Sequence, residues 1–353
     1  MNYSPVMVGS GGARDRHAPE SYRLETTVIV DLPNTTTSNI SKTLVKIREE
    51  GGVVALGRVL TLVISTELGH EEEAIEAAND ASREHPMRVI VISTASVHSA
   101  SNDEPRLDAQ IRVGGDAGAS EVVVLKAYGD AASDEEGLVT GLLLSDAPVV
   151  AWWPGEAPDV VSQSPLGRIA QRRITDAAAQ RDPQGFLANL TSSYAPGDTD
   201  FSWTRLTLWR AQLAAVLDQP PYESITKVEV HGSADSPSTT LLAAWLQDQL
   251  QVNAHYELVT PAHGSSGIQG VRLHRPSGVI ELERISANIA TLVQPDQPTH
   301  DISLPRRSLR DCLAEELRGL DPDELFGEVI QHGLGRLEEP THTAPIAIRG
   351  AGA

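Results

Sequence analysis

Residues 53–94 alternate apolar runs with a polar, acid-rich segment. They read VVALGRVLTLVIS at 53–65, GHEEEAIEAANDASREHP at 69–86 and MRVIVIST at 87–94. The apolar runs are rich in Val, Leu and Ile, which is typical of strands buried on both faces of a sheet. The middle segment predicts a helix, because acids in its first turn favour the helix dipole and His85-Pro86 ends it. This order of strand, helix and strand indicates a layered α/β unit.

Segments on both sides extend this unit. VIVDLPNTTTSNISKTLVKIREEGG at 28–52 predicts a short extended segment and then a helix capped by Thr37 or Ser38. RLDAQIRV at 106–113 and EVVVLKAYG at 121–129 are strand-like and joined by a Gly-rich segment, so a hairpin or a looser strand pair is expected. The first domain is therefore predicted to be α/β with a mixed sheet.

The stretch APVVAWWPGEAP at 147–158 places two tryptophans side by side at the end of a predicted strand. The whole chain has 5 Trp, and Trp152 and Trp153 are two of them. Neighbouring side chains in a strand point to opposite faces. One indole can then fill the core while the other faces a second domain, a ligand or another protein.

The second half of the chain combines a further α/β unit with an antiparallel region. ITKVEVHG at 225–232 and SPSTTLLAAWLQDQL at 236–250 predict a strand and a helix. Short alternating segments between 267 and 305 predict a meander of about four antiparallel strands, and two helices follow them. The predicted fold class is α/β (α+β) in two domains, each a mixed β-sheet packed with helices, the second with the antiparallel meander.

Composition shifts along the chain set the predicted domain limits. The segment after Pro154 is rich in Pro, Ser, Arg and Asp and predicts a connection between domains. The predicted parts are a flexible N-terminal extension (1–24), an N-terminal α/β domain (25–160), a connection (161–185), a C-terminal α/β domain (186–335) and a flexible tail (336–353).

The charge and the apolar content of the 353 residues limit the partners of the chain. It carries 48 acidic against 28 basic residues, so its surface repels phosphate backbones and nucleic acid is not an expected partner. No apolar run approaches the ~20 residues of a membrane helix, and no secretory signal is read. A cytoplasmic protein is expected. The single cysteine, Cys312, cannot form an internal disulfide and is predicted to be a buried, inert thiol.

Known catalytic and cofactor motifs are incomplete in this sequence. RVGGDAGAS at 112–120 has the wrong glycine spacing for a dinucleotide site, and HGSSG at 263–267 is one residue short of a hydrolase nucleophile elbow. GHEEEA at 69–74 has Ala74 where a zinc-protease helix needs its second histidine. We therefore predict no catalytic residues, no cofactor and no metal.

Three stretches are candidates for contact with a partner. They are AWWPGEAP, the arginine-rich GRIAQRRITDA and YAPGDTDFSWTRLTLWR at 194–210. Tryptophan is enriched at interface centres, and an arginine fork can clamp a carboxylate or a phosphate. The alternatives are core packing for the tryptophans and pairing with acids of the same chain for the arginines. The candidate partner-binding residues are Trp152, Trp153, Arg172, Arg173 and Trp203.

Several segments, taken in order, resemble the OpcA family, the glucose-6-phosphate dehydrogenase assembly proteins of actinobacteria and cyanobacteria. The similarity spans roughly residues 28 to 330 and is greatest to the actinobacterial branch. The resembling segments are VDLPNTTTSNISKTLVKIREEGG, RVLTLVI, AANDASREHPMRVIVI, RLDAQIRVGGDAGASEVVVL, LLLSDAPVVAWWPGEAP, YAPGDTDFSWTRLTLWR and SLPRRSLRDCLAEELRGLDPDELFGE.

The resemblance implies a non-catalytic partner of glucose-6-phosphate dehydrogenase. Such a protein would promote the active oligomer of that enzyme or tune its activity, as an allosteric effector in the oxidative pentose phosphate pathway, which supplies NADPH. The alternative is a stand-alone sugar-phosphate-binding sensor or enzyme, with the double Trp stacking on a sugar and Arg172 or Arg173 holding the phosphate. A redox role for Cys312 is a third hypothesis.

Overall fold

The computed structural model describes residues 28–51, 58–95, 104–114, 121–260 and 267–343. In this part of the chain two mixed sheets pack with helices, which confirms the predicted fold class. The strands are β1 (Val28–Leu32), β2 (Leu60–Glu67), β3 (Met87–Thr94), β4 (Arg106–Val113), β5 (Glu121–Tyr128), β6 (Val149–Trp152), β7 (Arg172–Thr175), β8 (Asp198–Asp200), β9 (Lys227–Ser233), β10 (Ala254–Val259), β11 (Ile268–Arg275), β12 (Gly278–Arg284), β13 (Ile289–Val293), β14 (His300–Ser303) and β15 (Thr341–Thr343). The helices are α1 (Thr37–Gly51), α2 (Glu71–Ala81), α3 (Glu135–Thr140), α4 (Pro165–Ile169), α5 (Pro183–Ser193), α6 (Phe201–Thr204), α7 (Thr207–Leu217), α8 (Pro237–Leu250), α9 (Leu309–Glu316) and α10 (Glu324–Glu328).

The first sheet has the strand order β1-β4-β5-β3-β2-β6-β7-β8. The six strands from β5 to β8 in this order run parallel, whereas β4 and β1 are antiparallel to their neighbours. The apolar runs at β2 and β3 are buried on both faces, as predicted, because α2 and α9 cover one face and α1, α3 and α4 cover the other. The predicted hairpin is confirmed, since β4 pairs with β5 antiparallel.

The adjacent tryptophans fill the cores on the two faces of this sheet. Trp152 is fully buried beside Phe201, with ring centroids 5.6 Å apart, in the core under α2 and α9. Trp153 is 2% exposed and packs in the other core with Ile40 and Leu166. The strand alternation predicted from the sequence holds, and what lies on the second face is a second layer of the same fold.

The second sheet has the order β14-β13-β12-β11-β9-β10-β15. The strands β11 to β14 form the predicted antiparallel meander. Helices α5, α7, α8 and α10 cover one face of the sheet through one apolar core. Gly232, near the end of β9, allows the close approach of α8, because an added Cβ would lie 2.3 Å from the Oγ1 of Thr239.

The segment 161–185, predicted as a connection, carries regular structure. It contains α4 and β7, and β7 is a strand of the first sheet between β6 and β8. The first sheet therefore continues past residue 160, into the segment predicted as the connection. The arginines of β7 allow this because each pairs with a carboxylate of the same chain.

The C-terminal helices also reach back to the first sheet. In α9, Cys312 and Leu313 are fully buried and pack in one core with Ala74 and Ile75 of α2. Burial raises the pKa of Cys312 to about 12, so its thiol stays protonated at neutral pH. The predicted burial of this thiol is confirmed.

The two termini were predicted to be flexible. The extension 1–24 lies outside the described residues, as do residues 344–353 of the tail. Within the tail, Thr341–Thr343 form β15, which pairs parallel with β10 at the edge of the second sheet. This part of the predicted tail is therefore hydrogen-bonded to the edge of the second sheet.

Candidate functional site

A cleft of about 730 Å³ lies at the carboxyl ends of β2, β3 and β6. From β2 the chain crosses to β3 on one side, and it returns later to β6 on the other. Ligands of open α/β sheets bind at such a switch point. Residues 153–158, from the stretch AWWPGEAP, form one wall, and Trp153 is the member of the tryptophan pair that reaches it. We call this site the switch-point cleft.

Acidic side chains dominate the switch-point cleft. Its carboxylates are Glu67, Glu73, Glu135 and Glu156, and its only lining arginine within the described chain is Arg181. Arg181 lies 3.5 Å from Glu156, as an ion pair at the rim. The helix α2 begins at this edge with three glutamates, which repel a phosphate from its N-terminus. The cleft is therefore suited to a ligand or peptide segment that carries positive charge or hydrogen-bond donors.

Glu135 is a half-buried carboxyl of this cleft. Burial raises its pKa above the ordinary value, although the Oγ of Ser65 donates a hydrogen bond to its Oε1 at 3.3 Å. Folding therefore favours the protonated form. This contribution to stability is fully present below the ordinary glutamate pKa and is lost as the pH rises through the raised one.

We expect Glu135→Gln to raise the melting temperature at about pH 8, because it removes a charge that burial penalises and keeps an acceptor for Ser65. The gain should shrink as the pH falls to about 4. Scanning calorimetry of wild type and variant across this range measures it. The control is Glu73→Gln at an exposed position in the same cleft. A lower melting temperature for Glu135→Gln at high pH would show that the ionised carboxylate stabilises the fold.

The five residues predicted to contact a partner are all buried in the described structure. Trp152, Trp153 and Trp203 are 0%, 2% and 1% exposed, and Arg172 and Arg173 are 5% and 7% exposed. They do not form the exposed aromatic and arginine-bearing face that the sequence suggested. The physical reason is that strand neighbours provide a core layer for the indoles and a carboxylate for each arginine. Partner contact by these side chains stays a prediction.

Arg172 joins the first sheet to the C-terminal helices. Its Nε donates to Oε2 of Glu316 at 3.0 Å, and its Nη1 donates to the carbonyl of Asp321 at 2.8 Å. Glu316 also accepts from the Oγ1 of Thr204. Both ionic side chains are 6% exposed, so this is a buried ion pair between residues 144 positions apart in sequence.

The side chain of Arg173, on β7, is bound by the turn that leads into β8. It donates to the carboxylate of Asp198 and to the carbonyls of Ala170 and Pro196. Gly197 has φ +96, and an added Cβ would lie 2.9 Å from Nη2 of Arg173. The glycine in YAPGD thus makes room for the guanidinium. Arg172 and Arg173 each pair with an acid of the same chain, which was the alternative to partner contact.

Trp203 links α6 to α10. Its Nε1 donates to Asp323 at 2.8 Å, and Asp323 also caps α10 by accepting from the amide of Phe326 at 2.9 Å. The guanidinium of Arg210 stacks over the indole at 3.9 Å from its centroid. Trp203 therefore stabilises the contact between α6 and α10 as a buried residue.

Sequence reasoning missed an exposed apolar patch on the meander. Ile285, Ile289 and Val293 are 60%, 40% and 36% exposed. Ile285 donates its amide to the carbonyl of Ile289, so these two residues lie opposite each other, and Val293 lies on the same face of β13. The alternating apolar residues of β13 point to both faces, and that mixture hides which face is buried. We call these three residues the β13 patch.

No helix in the described part of the chain has the length and apolar character needed to span a bilayer. Among the same residues, no group of three or more His, Cys, Asp or Glu side chains is arranged to hold a metal ion.

Two family models match the chain in sequence order. Residues 78–192 match the model of the glucose-6-phosphate dehydrogenase subunit N-terminal domain, of the OpcA type. Residues 196–330 match the model of the C-terminal domain of that subunit. Together the two ranges cover more than two thirds of the 353 residues. A search of curated proteins finds no match.

Some solved structures resemble the chain at low identity. KijD10, a 3-ketoreductase from Actinomadura kijaniata in complex with TDP-benzene and NADP, is 10% identical, with a TM-score of 0.42 over 81% of this chain and 100% of that chain. An oxidoreductase from Sinorhizobium meliloti is 11% identical, with a TM-score of 0.44 over 78% of this chain and 94% of that chain. Similarity at this level indicates neither an activity nor a ligand.

Proposed function

Because this chain belongs to the OpcA family of glucose-6-phosphate dehydrogenase assembly proteins, we propose that it binds that enzyme and promotes its active oligomeric state. The observation that carries the proposal is the match to both domains of the subunit, in order, along one chain. In this proposal the chain performs no bond-making itself. It acts in the cytoplasm as an allosteric effector of the oxidative pentose phosphate pathway, and thus of NADPH supply.

Promotion of one oligomeric state requires a difference in affinity between states. A protein that binds two states of the dehydrogenase equally well shifts nothing. A preference of about 3 kcal/mol for the active state changes the ratio of states by about two orders of magnitude, which lies within the usual range of allosteric coupling. A surface of modest size that contacts two subunits of the enzyme would suffice.

We place the contact with the dehydrogenase on the β13 patch. The helices cover the opposite face of the second sheet, so the patch lies on the outer face. Beside it, Glu281 and Glu283 pair with Arg272 of the same chain, which leaves the aliphatic side chains as the unpaired part of this surface. Exposed aliphatic groups next to a polar rim are typical of protein interfaces.

The double variant Ile285→Asp, Ile289→Asp is expected to weaken binding of the dehydrogenase at least about tenfold, because burying two carboxylates in an apolar contact is unfavourable. Calorimetric titration gives the affinity, and an assay of the dehydrogenase with each variant gives the activation. Both positions are exposed, so the fold should persist, and thermal melting checks this.

The matched control is Tyr222→Asp, at a residue that is 80% exposed outside the β13 patch. It should bind and activate as wild type does. If the double variant does the same, the contact lies on another face. If wild type neither binds nor activates the dehydrogenase, the proposed function itself fails.

A further inference from the structure

A second cavity, of about 280 Å³, lies between Ala178 and Arg205 on one side and strands β11 and β12 of the second sheet on the other. Four arginines line it in a protein whose formal net charge is -20. They come from the end of α6, from β12 and from the segment before α9. We call it the arginine cleft, and its charged lining residues are Arg205, Arg284, Arg306, Arg307 and Asp235.

The positive charge of the arginine cleft is only partly neutralised by the protein. Arg205 makes a two-pronged pair with Asp176, and Arg307 pairs with Glu315. Arg284 instead donates to two backbone carbonyls, those of Ala287 at 2.9 Å and Leu304 at 2.6 Å. Within the described ranges, no carboxylate lies at ion-pair distance from Arg284.

Two of these guanidinium groups also repel each other. Burial, and then the charge of Arg306, lower the pKa of Arg284. Gly267 helps Arg306 to approach, because a Cβ at that position would lie 3.1 Å from Nη1 of Arg306. An anion between Arg284 and Arg306 would relieve this repulsion, and the planar fork of arginine suits phosphate oxygens.

The N-terminus of α8 opens into the same cleft. This helix has 14 residues, and Ser236 precedes it as the N-cap. Ser236 lines the cleft and is 7% exposed, and its side chain makes no cap bond to the helix. A hydroxyl beside a helix N-terminus is well placed to bind a phosphate oxygen.

Asp235 requires a hydrogen-bond donor from the ligand, whereas the arginines require an acceptor. Its Oδ1 is buried and has no hydrogen-bond partner in the described structure, although arginines surround the cleft. A bare phosphate would leave this oxygen unpaired and would be repelled by it. A ligand that also carries hydroxyl groups could donate to Asp235 while its phosphate meets the arginines.

We propose that the arginine cleft binds a small sugar phosphate, with the phosphate between Arg284, Arg306 and Ser236 and a sugar hydroxyl on Asp235. The volume of about 280 Å³ suits a small ligand such as a monosaccharide phosphate. The cleft differs from the predicted phosphate site at Arg172 and Arg173, whose guanidinium groups are occupied by carboxylates. The proposal does not depend on binding of the dehydrogenase.

Titration calorimetry of the full chain with glucose 6-phosphate, glucose and inorganic phosphate tests this site. We expect glucose 6-phosphate to bind, inorganic phosphate to bind at least about tenfold more weakly and glucose not to bind. Inorganic phosphate that binds as tightly as the sugar phosphate would contradict the role of Asp235. Absence of binding by both phosphates would overturn the proposal.

Two variants locate the binding on the chain. Arg306→Glu, at an exposed position, should weaken the binding of glucose 6-phosphate at least about tenfold. Ser236→Ala should also weaken this binding, and the protein should stay folded because no cap bond is lost. The control is Arg83→Glu, at a side chain 73% exposed just after the end of α2. Equal affinity of wild type and Arg306→Glu would place the ligand elsewhere and overturn the assignment.

Discussion

Replacing Glu316 by alanine is expected to lower the free energy of unfolding by about 3–5 kcal/mol. Removal of this carboxylate leaves the guanidinium of Arg172 buried with one carbonyl partner, that of Asp321. The Oγ1 of Thr204 loses one of its two acceptors and keeps the carbonyl of Asp200 at 3.3 Å. A buried charge without its partner is costly because the solvent that would stabilise it is absent. Urea denaturation of wild type and variant measures the difference.

The matched control is an exposed ion pair on the same C-terminal segment. Arg318 lies 3.1 Å from Glu84, with side chains 61% and 50% exposed. Glu84→Ala should therefore cost less than about 1 kcal/mol, since water screens such pairs. Similar small losses for Glu316→Ala and Glu84→Ala would mean that the Arg172–Glu316 pair does not hold the two halves together.

Trp152→Ala is expected to cost about 3–5 kcal/mol, because it leaves a large cavity between the first sheet and α9. The indole is fully buried and contacts Phe201. Its Nε1, however, has no hydrogen-bond partner in the described structure. Trp152→Phe keeps an aromatic ring against Phe201 and removes that unpaired donor, so it should cost much less than the alanine variant.

Denaturation of both Trp152 variants, monitored by circular dichroism, gives these values. Tyr222→Ala, at a side chain 80% exposed, should change stability by less than about 0.5 kcal/mol. If Trp152→Phe were as unstable as Trp152→Ala, a phenyl ring would not replace the packing of the indole, which would contradict this prediction.

The elements with strong periodicity could be predicted from the sequence. The strands β2 and β3 are apolar on both faces, and apolar and polar residues alternate in the meander. The local pattern of residues is therefore enough to predict these strands. The short strands β7 and β8 were missed because RRIT and DTD carry mostly polar side chains. They join the sheet through Glu316 and other partners that are distant in sequence, and no local pattern reports such partners.

Partners that are distant in sequence also explain why the candidate partner-binding residues are buried. Tryptophan and arginine occur both at interfaces and in supported cores, and sequence alone cannot distinguish these settings. Arg172 is buried because Glu316, 144 positions away, is placed beside it by α9. The arginine cleft was missed for a related reason, since its lining residues come from segments between Ala178 and Arg307 and share no motif.

The most direct test of the proposed function is the molar mass of glucose-6-phosphate dehydrogenase, measured by light scattering with and without this chain under conditions in which the enzyme alone is partly dissociated. We expect one heavier species that contains both proteins, with higher dehydrogenase activity per subunit. Two species that keep their separate masses, with unchanged activity, would contradict the proposal.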